Sequence, residues 1–375
     1  MSEHTPALAL KEAIRTASRG LVEREALVEL VALAAVAREH VLVIGPPGTA
    51  KSEAVRRISR CLGGRYFEYL LGRFTEPNEL FGPVDLQRLR AGVVETRTEG
   101  MLPEAELVFL DEVFLGSTAI LNTLLAILNE RVFRRGAQAL PCPLRVCVGA
   151  SNALPDDPAL AAFADRFLLR MFLDKLPDPR LEELLAAGWE GTTPPVATAS
   201  VQDIDALAEQ ARAVDLRPVR PHLAHAVRVL KAQGIALSDR RVVKLQGLVA
   251  AAAVLAGRAA PTRADLWPLI FAVPSAEAQA IARDTLRDLL EASDSPALPA
   301  AAEAASLGPA ARARRLVEDG EAALAARPAA ADEMAGWRLR LEAVLREIDA
   351  GFDPAARPES LAQLRTRLVA EVEPT

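Results

Sequence analysis

The sequence predicts an α/β fold built on a parallel sheet, followed by a region that is helical in pattern to its end. Three observations predict this. Short apolar runs at Val41–Ile44 and Leu107–Leu110, and a third at Leu144–Val148 broken only by Arg145, alternate with helical patterns. The first run breaks into the glycine- and proline-rich turn Gly45-Pro-Pro-Gly48, directly ahead of a helix. From about Thr193 the strand signal stops. A run apolar at every position suits a strand covered on both faces, as in a parallel sheet, and strands alternating with helices give an α/β core.

In chain order, residues 7–39 read as helices broken at Gly20, with Leu27, Val28, Leu30, Val31 and Leu33 on a broad apolar face. A helix is expected from about Lys51 to Leu62. Residues 65–103 carry Gly72, Pro77, Gly82, Pro83, Gly92, Gly100 and Pro103. They read as loops with a hairpin at Val93–Thr98, where apolar and polar residues alternate. A helix from about Thr118 to Asn129 follows the second apolar run, and the third run ends at Gly149-Ala-Ser-Asn152. Pro194-Pro195 mark a linker. Beyond it, Ser200–Ala213, His222–Gln233 and Asp239–Gly257 read as helices, and Thr262 with Asp265 forms a cap. Ser293–Ala300 reads as a second linker. The last stretch carries two amphipathic faces, Trp337, Leu341, Val344, Leu345 and Ile348, then Leu361, Leu364 and Leu368.

Composition narrows the function classes. The 375 residues suffice for two or three domains, and 51% are apolar. A net charge of −6 and a pI of about 5.5 argue against broad nucleic-acid binding, which needs a concentrated basic excess. Three cysteines, Cys61, Cys142 and Cys147, form no metal-binding spacing and suit a reducing cytoplasm. The N-terminus lacks the basic start of a signal peptide. The longest apolar run, Leu248–Gly257, is too short for a bilayer, which needs about 20 residues.

The residues that point to chemistry are Gly45, Pro46, Pro47, Gly48, Thr49, Ala50, Lys51 and Ser52. Glycines let backbone N–H groups crowd around a phosphate, and the following helix adds its positive end. Lys51 would reach the outer phosphates and Ser52 would ligate Mg2+, as in a phosphate-binding loop for ATP. The common pattern has Gly where this chain has Ala50. About sixty residues on, Asp111 and Glu112 end the second strand. Asp111 would hold the magnesium, through water or Ser52, and Glu112 would polarise an attacking water. Asn152 could position that water or simply make a turn. Arg166, in Asp165-Arg166-Phe167, could stabilise a phosphoryl group held by a neighbouring subunit or pair with a surface acid; Arg170, one helical turn on, is a weaker choice. In Ser238-Asp239-Arg240-Arg241 one arginine could face the nucleotide, or the segment could be a solvated helix start. His222 and His225 lack a third metal ligand. Arg312, Arg314 and Arg315 read as a solvated helix face.

Taken in order, these segments resemble the MoxR branch of the AAA+ ATPases, most closely its RavA-type subgroup. The resemblance covers about residues 8–290. It rests on GLVER at 20–24, GPPGTAKS at 45–52, RFTEPNELFGPVD at 73–85 and GMLPEAELVFLDEVF at 100–114. It continues with AILNTLLAILNERVFRRG at 119–136, ASNALP at 150–155, DRFLLR at 165–170, LDKLPD at 173–178 and SDRR at 238–241. Ala50 is usual in this branch. The resemblance implies a nucleotide-binding core at 1–192 with an insert at 65–103, a helical lid at 193–291 and a helical tail at 292–375. It makes Asn152 the first sensor, Arg166 an arginine finger and Arg240 or Arg241 the second sensor. It implies a homo-hexameric ring that hydrolyses ATP with magnesium and remodels a client protein, often with a von Willebrand factor A protein. Where RavA-type proteins carry a small β-domain after the lid, this chain has alanine-rich helix. Two other classes compete: a nucleic-acid motor of the same clade, and a solitary phosphotransferase, for which a trans-acting arginine would have no use. The apolar and arginine content of the insert, Phe74, Arg88 and Arg90 included, would make it an engagement surface or else pack onto the chain's own core.

Overall fold

A computed structural model describes residues 5–136, 138–175, 181–190, 195–306, 309–328, 334–352 and 357–372. Thr193, Pro194 and the end of LDKLPD lie outside these residues. Helices α1 (Pro6–Ser18) and α2 (Glu25–Ala37) lead into strand β1 (Val41–Ile44) and helix α3 (Lys51–Leu62). The sheet is completed by β2 (Tyr66–Leu70), β3 (Leu107–Asp111), β6 (Val146–Ser151) and β7 (Leu169–Phe172). Its order is β2-β3-β6-β1-β7, and every pairing is parallel.

Alternation along each strand sorts the side chains between two apolar layers. Val41, Val43, Leu107, Phe109, Val146 and Val148 face α1, α2 and α3. Leu42, Ile44, Val108, Leu110 and Cys147 face the helix α6 (Thr118–Glu130). Burial on both faces explains why these strands show as uninterrupted apolar runs.

The insert departs from its expected form. Its first residues are β2, an edge strand that pairs with β3 from Tyr66↔Leu107 to Leu70↔Asp111. Two short helices follow, α4 (Pro77–Phe81) and α5 (Leu86–Arg90). The expected hairpin at Val93–Thr98 reduces to a single bridge, Val84↔Thr96, because its partner segment turns into α5 rather than running on. Leu71, Leu80 and Phe81 are buried, whereas Leu70, Phe74, Leu86, Leu89, Val93 and Val94 are exposed. A hairpin the sequence did not announce, β4 (Val132–Arg135) with β5 (Gln138–Pro141), sits beyond α6. The third strand begins two residues later than expected, and α7 (Pro158–Ala164) and β7 follow it. Arg170 therefore lies in a strand, not one helical turn from Arg166.

After α8 (Leu181–Glu190), the chain forms α9 (Val201–Ala213), α10 (Arg220–Ala232) and α11 (Asp239–Leu255). Ser200 caps α9 in a reciprocal box with Asp203, and Thr262 with Asp265 caps a short 3-10 turn rather than an α-helix. Helices α9 and α11 pack on α2. Helices α12 (Ala276–Thr285) and α13 (Arg287–Leu290) lead to α14 (Pro299–Ser306). The second expected linker is packed: Ser293, Ser295 and Leu298 are buried. Leu298, Ala301, Ala302 and Ala305 join the same core as α2. Glu29 of α2 accepts the N–H groups of Ala300 (3.3 Å) and Ala301 (2.6 Å), tying α14 to the core. Helices α15 (Pro309–Ala325), α16 (Met334–Gly351) and α17 (Glu359–Val372) make a separate bundle around Leu316, Trp337, Leu341, Ile348, Leu361, Leu364 and Leu368. The arginines read as a solvated face instead anchor this bundle. Arg315 pairs with Glu303, Asp319 and Glu347, and Arg314 with Asp294. Among the described residues no helix is long and apolar enough to cross a membrane.

Candidate functional site

The glycine-rich segment leaves β1 at the carboxyl end of the sheet. Gly45 donates to Ser151 O (3.1 Å), and a Cβ there would stand 2.6 Å from Leu173 O, so only glycine fits between the strand ends. Gly48 (φ +79) and Ala50 (φ +56) are both left-handed. That region suits glycine but strains alanine. The turn closes through the Thr49 hydroxyl, which donates to Pro46 O at 2.9 Å. Among the described residues, the N–H groups of Gly48, Thr49 and Ala50 donate to no other group, and α3 begins at Lys51 just behind them. This is an anion cradle of backbone donors at a helix start.

Lys51 is buried, and its ammonium donates to Gly45 O (2.6 Å) and Pro46 O (3.0 Å). Burial pulls its pKa below the usual lysine range, against the raising influence of Asp111 and Glu112. The Ser52 hydroxyl lies 3.3 Å from Asp111 Oδ2. Asp111 Oδ1 accepts the Glu112 N–H at 3.0 Å, and Glu112 has a left-handed backbone (φ +50). Asn152 Nδ2 donates to Glu112 Oε1 at 2.7 Å. The ends of β1, β3 and β6 thus bring Lys51, Ser52, Asp111, Glu112 and Asn152 to one edge. A hydroxyl beside a carboxylate is an all-oxygen donor pair, which fits a hard cation such as magnesium. Next to the loop lies an open cleft of about 510 Å³, walled by Leu21, Val22, Pro47, Thr49, Leu184 and Ala187.

The candidate arginines lie elsewhere. Asp165 and Arg166 lie three to four residues before β7, whose first residue pairs with Val41 at the amino end of β1. Strand β1 has four residues and so three steps, which separates Val41 from Ile44 by roughly 10 Å at about 3.3 Å per residue. Arg166 makes no side-chain hydrogen bond or ion pair among the described residues, and its Nε is buried without a partner. Arg241 is 2% exposed; its guanidinium donates to Ala272 O, Phe167 O, Leu168 O, Asp165 O and the Asp165 carboxylate. It joins α11 to the sheet and is not free to face a nucleotide. Arg240 is half-buried and donates to the Asn129 side chain, at the same amino end. Neither Arg166 nor Arg240 is on the edge of the sheet where the glycine-rich loop lies. Arg170 is also withdrawn: it donates to Pro274 O at 2.6 Å, and burial, with Arg241 beside it, lowers its pKa to about 10. Among the described residues no group of His, Cys, Asp and Glu could hold a metal on its own, so His222 and His225 stay without partners for that role.

Two features escaped the sequence reading. One is the cleft wall formed by α8 and the residues around Leu21. The other is Arg24, which is buried against the loop. The GLVER string marked the place but carried no sign of what its arginine touches.

A family model described as the MoxR domain in the MoxR-vWA-beta-propeller ternary systems matches residues 8–210. Two uncharacterised proteins of Methanocaldococcus jannaschii are each 36% identical, over 65% and 63% of this chain and 66% and 62% of their own lengths. The chain thus spans less than two thirds of the length of those relatives. Chaperone MoxR1 of Mycobacterium tuberculosis is 29% identical over 50% of each chain. A solved structure from Cytophaga hutchinsonii, described as a candidate ATPase, superposes with a TM-score of 0.62 at 16% identity, covering 77% of this chain and 96% of its own. At that identity the likeness concerns the fold.

Proposed function

The chain belongs to the family of MoxR domains found in MoxR–vWA–β-propeller ternary systems, and from that premise we propose that it is a magnesium-dependent ATPase whose turnover remodels a partner protein. The observation that carries this reading is the convergence of Lys51, Ser52, Asp111, Glu112 and Asn152 on one sheet edge beside unclaimed N–H donors.

In this reading the N–H groups of residues 48–50 and Lys51 bind the ATP phosphates, with Lys51 leaving its two carbonyl partners to do so. Ser52 and Asp111 would hold magnesium, which would supply charge neutralisation at the phosphoryl oxygens. Glu112 accepts the proton of the attacking water, and Asn152 holds the Glu112 carboxylate in line. Arg166 and Arg240, out of reach of their own loop, serve the loop of a neighbouring copy, which requires a ring; we take it to be a hexamer. Residues 1–192 form the ATP-binding core, 193–291 a helical lid and 292–375 a tail whose first helix, α14, packs on the core. The family description supports a von Willebrand factor A protein and a β-propeller protein as partners rather than the RavA-type arrangement. We assign the exposed face of the insert, with Phe74, Arg88 and Arg90, to partner engagement. The three free, buried cysteines suit a cytoplasmic setting.

Substituting Glu112→Gln tests the assignment. The variant should bind ATP as the wild type does and hydrolyse it at least about a hundredfold more slowly, because an amide cannot take the proton. Wild-type turnover by this variant in a phosphate-release assay would remove Glu112 from the chemistry.

A further inference from the structure

The motif at residues 20–24 has no part in the account so far, yet its arginine is set deep in the site. Arg24 is 6% exposed. Its Nε donates to Thr49 O at 2.7 Å, one terminal nitrogen to Glu23 O at 2.6 Å, and the other to Asp174 O at 3.0 Å. These three carbonyls belong to the segment before α2, to the phosphate loop and to the strap that leaves β7. Burial lowers the Arg24 pKa, and its charge is close enough to lower that of Lys51 in turn.

The bond to Thr49 O has a stereochemical consequence. The Thr49–Ala50 peptide is planar and trans, so its C=O and N–H point in opposite directions. A guanidinium that holds the carbonyl on one side therefore aims the Ala50 N–H at the other, toward the cradle. Ala50 needs this help. It sits at φ +56, where a methyl group crowds the backbone and where many such loops have glycine. We propose that Arg24 is a positioning residue of the phosphate loop: it pins the Thr49–Ala50 peptide with the Ala50 N–H directed at the bound phosphates, and so maintains a left-handed alanine in the loop. The inference rests on the reading of this loop as the nucleotide site. Arg24 touches no phosphate in this account; it acts through the peptide.

The test uses ADP as ligand and the full chain, with affinity read by calorimetry. Arg24→Lys keeps a charge but loses the forked geometry, and should weaken ADP by about tenfold, the scale of one charge-assisted hydrogen bond. In an Ala50→Gly background the left-handed backbone is no longer strained, so the same Arg24→Lys change should cost at least about threefold less. A purely structural arginine would cost the same in both backgrounds, and that equality would overturn the proposal. So would unchanged affinity in Arg24→Lys. If Arg24→Lys does not fold, amide exchange on the wild type decides: ADP should protect the Ala50 N–H, and an unprotected Ala50 N–H in the ADP complex overturns the proposal. A wild-type chain that binds no ADP removes the nucleotide-site reading itself, and the inference with it, before any substitution is made.

Discussion

Along helix α11, one step in sequence separates Arg240, half-buried beside Asn129, from Arg241, sealed among carbonyls at 2% exposure. Their substitutions should differ accordingly. Arg241→Ala leaves Asp165 and several buried carbonyls without a donor, so chemical denaturation should show a loss on the order of 3 kcal/mol. Arg240→Ala should stay within about 0.5 kcal/mol of wild type, as surface changes do, while ATP turnover falls. Equal destabilisation by the two would contradict the division of roles. At this scale the geometry of the glycine-rich loop was legible because it is local: spacing alone places glycines, lysine and serine around one point. The choice between Arg240 and Arg241 was not, because it depends on carbonyls about 75 residues away in the chain. Arg24 was hidden for the same reason, since its bonds reach Thr49 and Asp174.

Elements were legible where burial is symmetric. Strands β1 and β3 read as apolar runs because both their faces are covered. Strand β2 did not, because an edge strand with Glu68 at its centre has no such run, and β4–β5 form a short hairpin that buries Phe133 and leaves most of its other residues partly or fully exposed. The amino end of the sheet is clasped by His40, which the sequence left unremarked. Its Nδ1 accepts the Cys147 N–H at 3.0 Å, and its Nε2 lies 3.1 Å from Leu128 O. Burial, with Arg131 close by, holds its pKa well below the usual histidine value. The folded state therefore keeps His40 neutral where the unfolded chain takes up a proton. Its contribution is complete above about pH 6.5 and is lost as pH falls below it, by up to about 1.4 kcal/mol per pH unit. Buried Glu29, with a raised pKa, works in the opposite direction between its unfolded value of about 4.5 and its folded one, so the wild-type profile alone is ambiguous. A His40→Gln variant removes one and retains the other. Its deficit relative to wild type, measured by urea denaturation, should shrink from pH 7 to pH 5. A deficit independent of pH would mean that His40 is not held neutral.

At the scale of the molecule, the decisive feature is the separation of chemistry between the two ends of one sheet. The loop, Ser52, Asp111 and Glu112 stand at the carboxyl end; Arg166 and Arg240 stand at the amino end, beside Asp165 and Asn129. The sequence predicted the α/β core and the helical remainder, but not that α11 would dock on α2, away from the loop its arginine was expected to face. Nor did it show α14 packed in the core cluster, since an alanine-rich helix after a serine-proline segment looks like a tail until Glu29 is seen to cap it. The central claim is that the catalytic site is completed by a second copy of the chain, and mixing two inactive variants tests it most directly. Lys51→Ala lacks the phosphate grip, and Arg166→Ala keeps the grip but should lose on the order of 10³-fold in turnover. Combined in equal amounts in the same assemblies, they form some interfaces that carry an intact loop on one side and an intact Arg166 on the other. ATPase activity should rise well above the sum of the two variants measured separately. Co-assembled, folded variants whose mixture is no more active than that sum would show that Arg166 does not act across an interface.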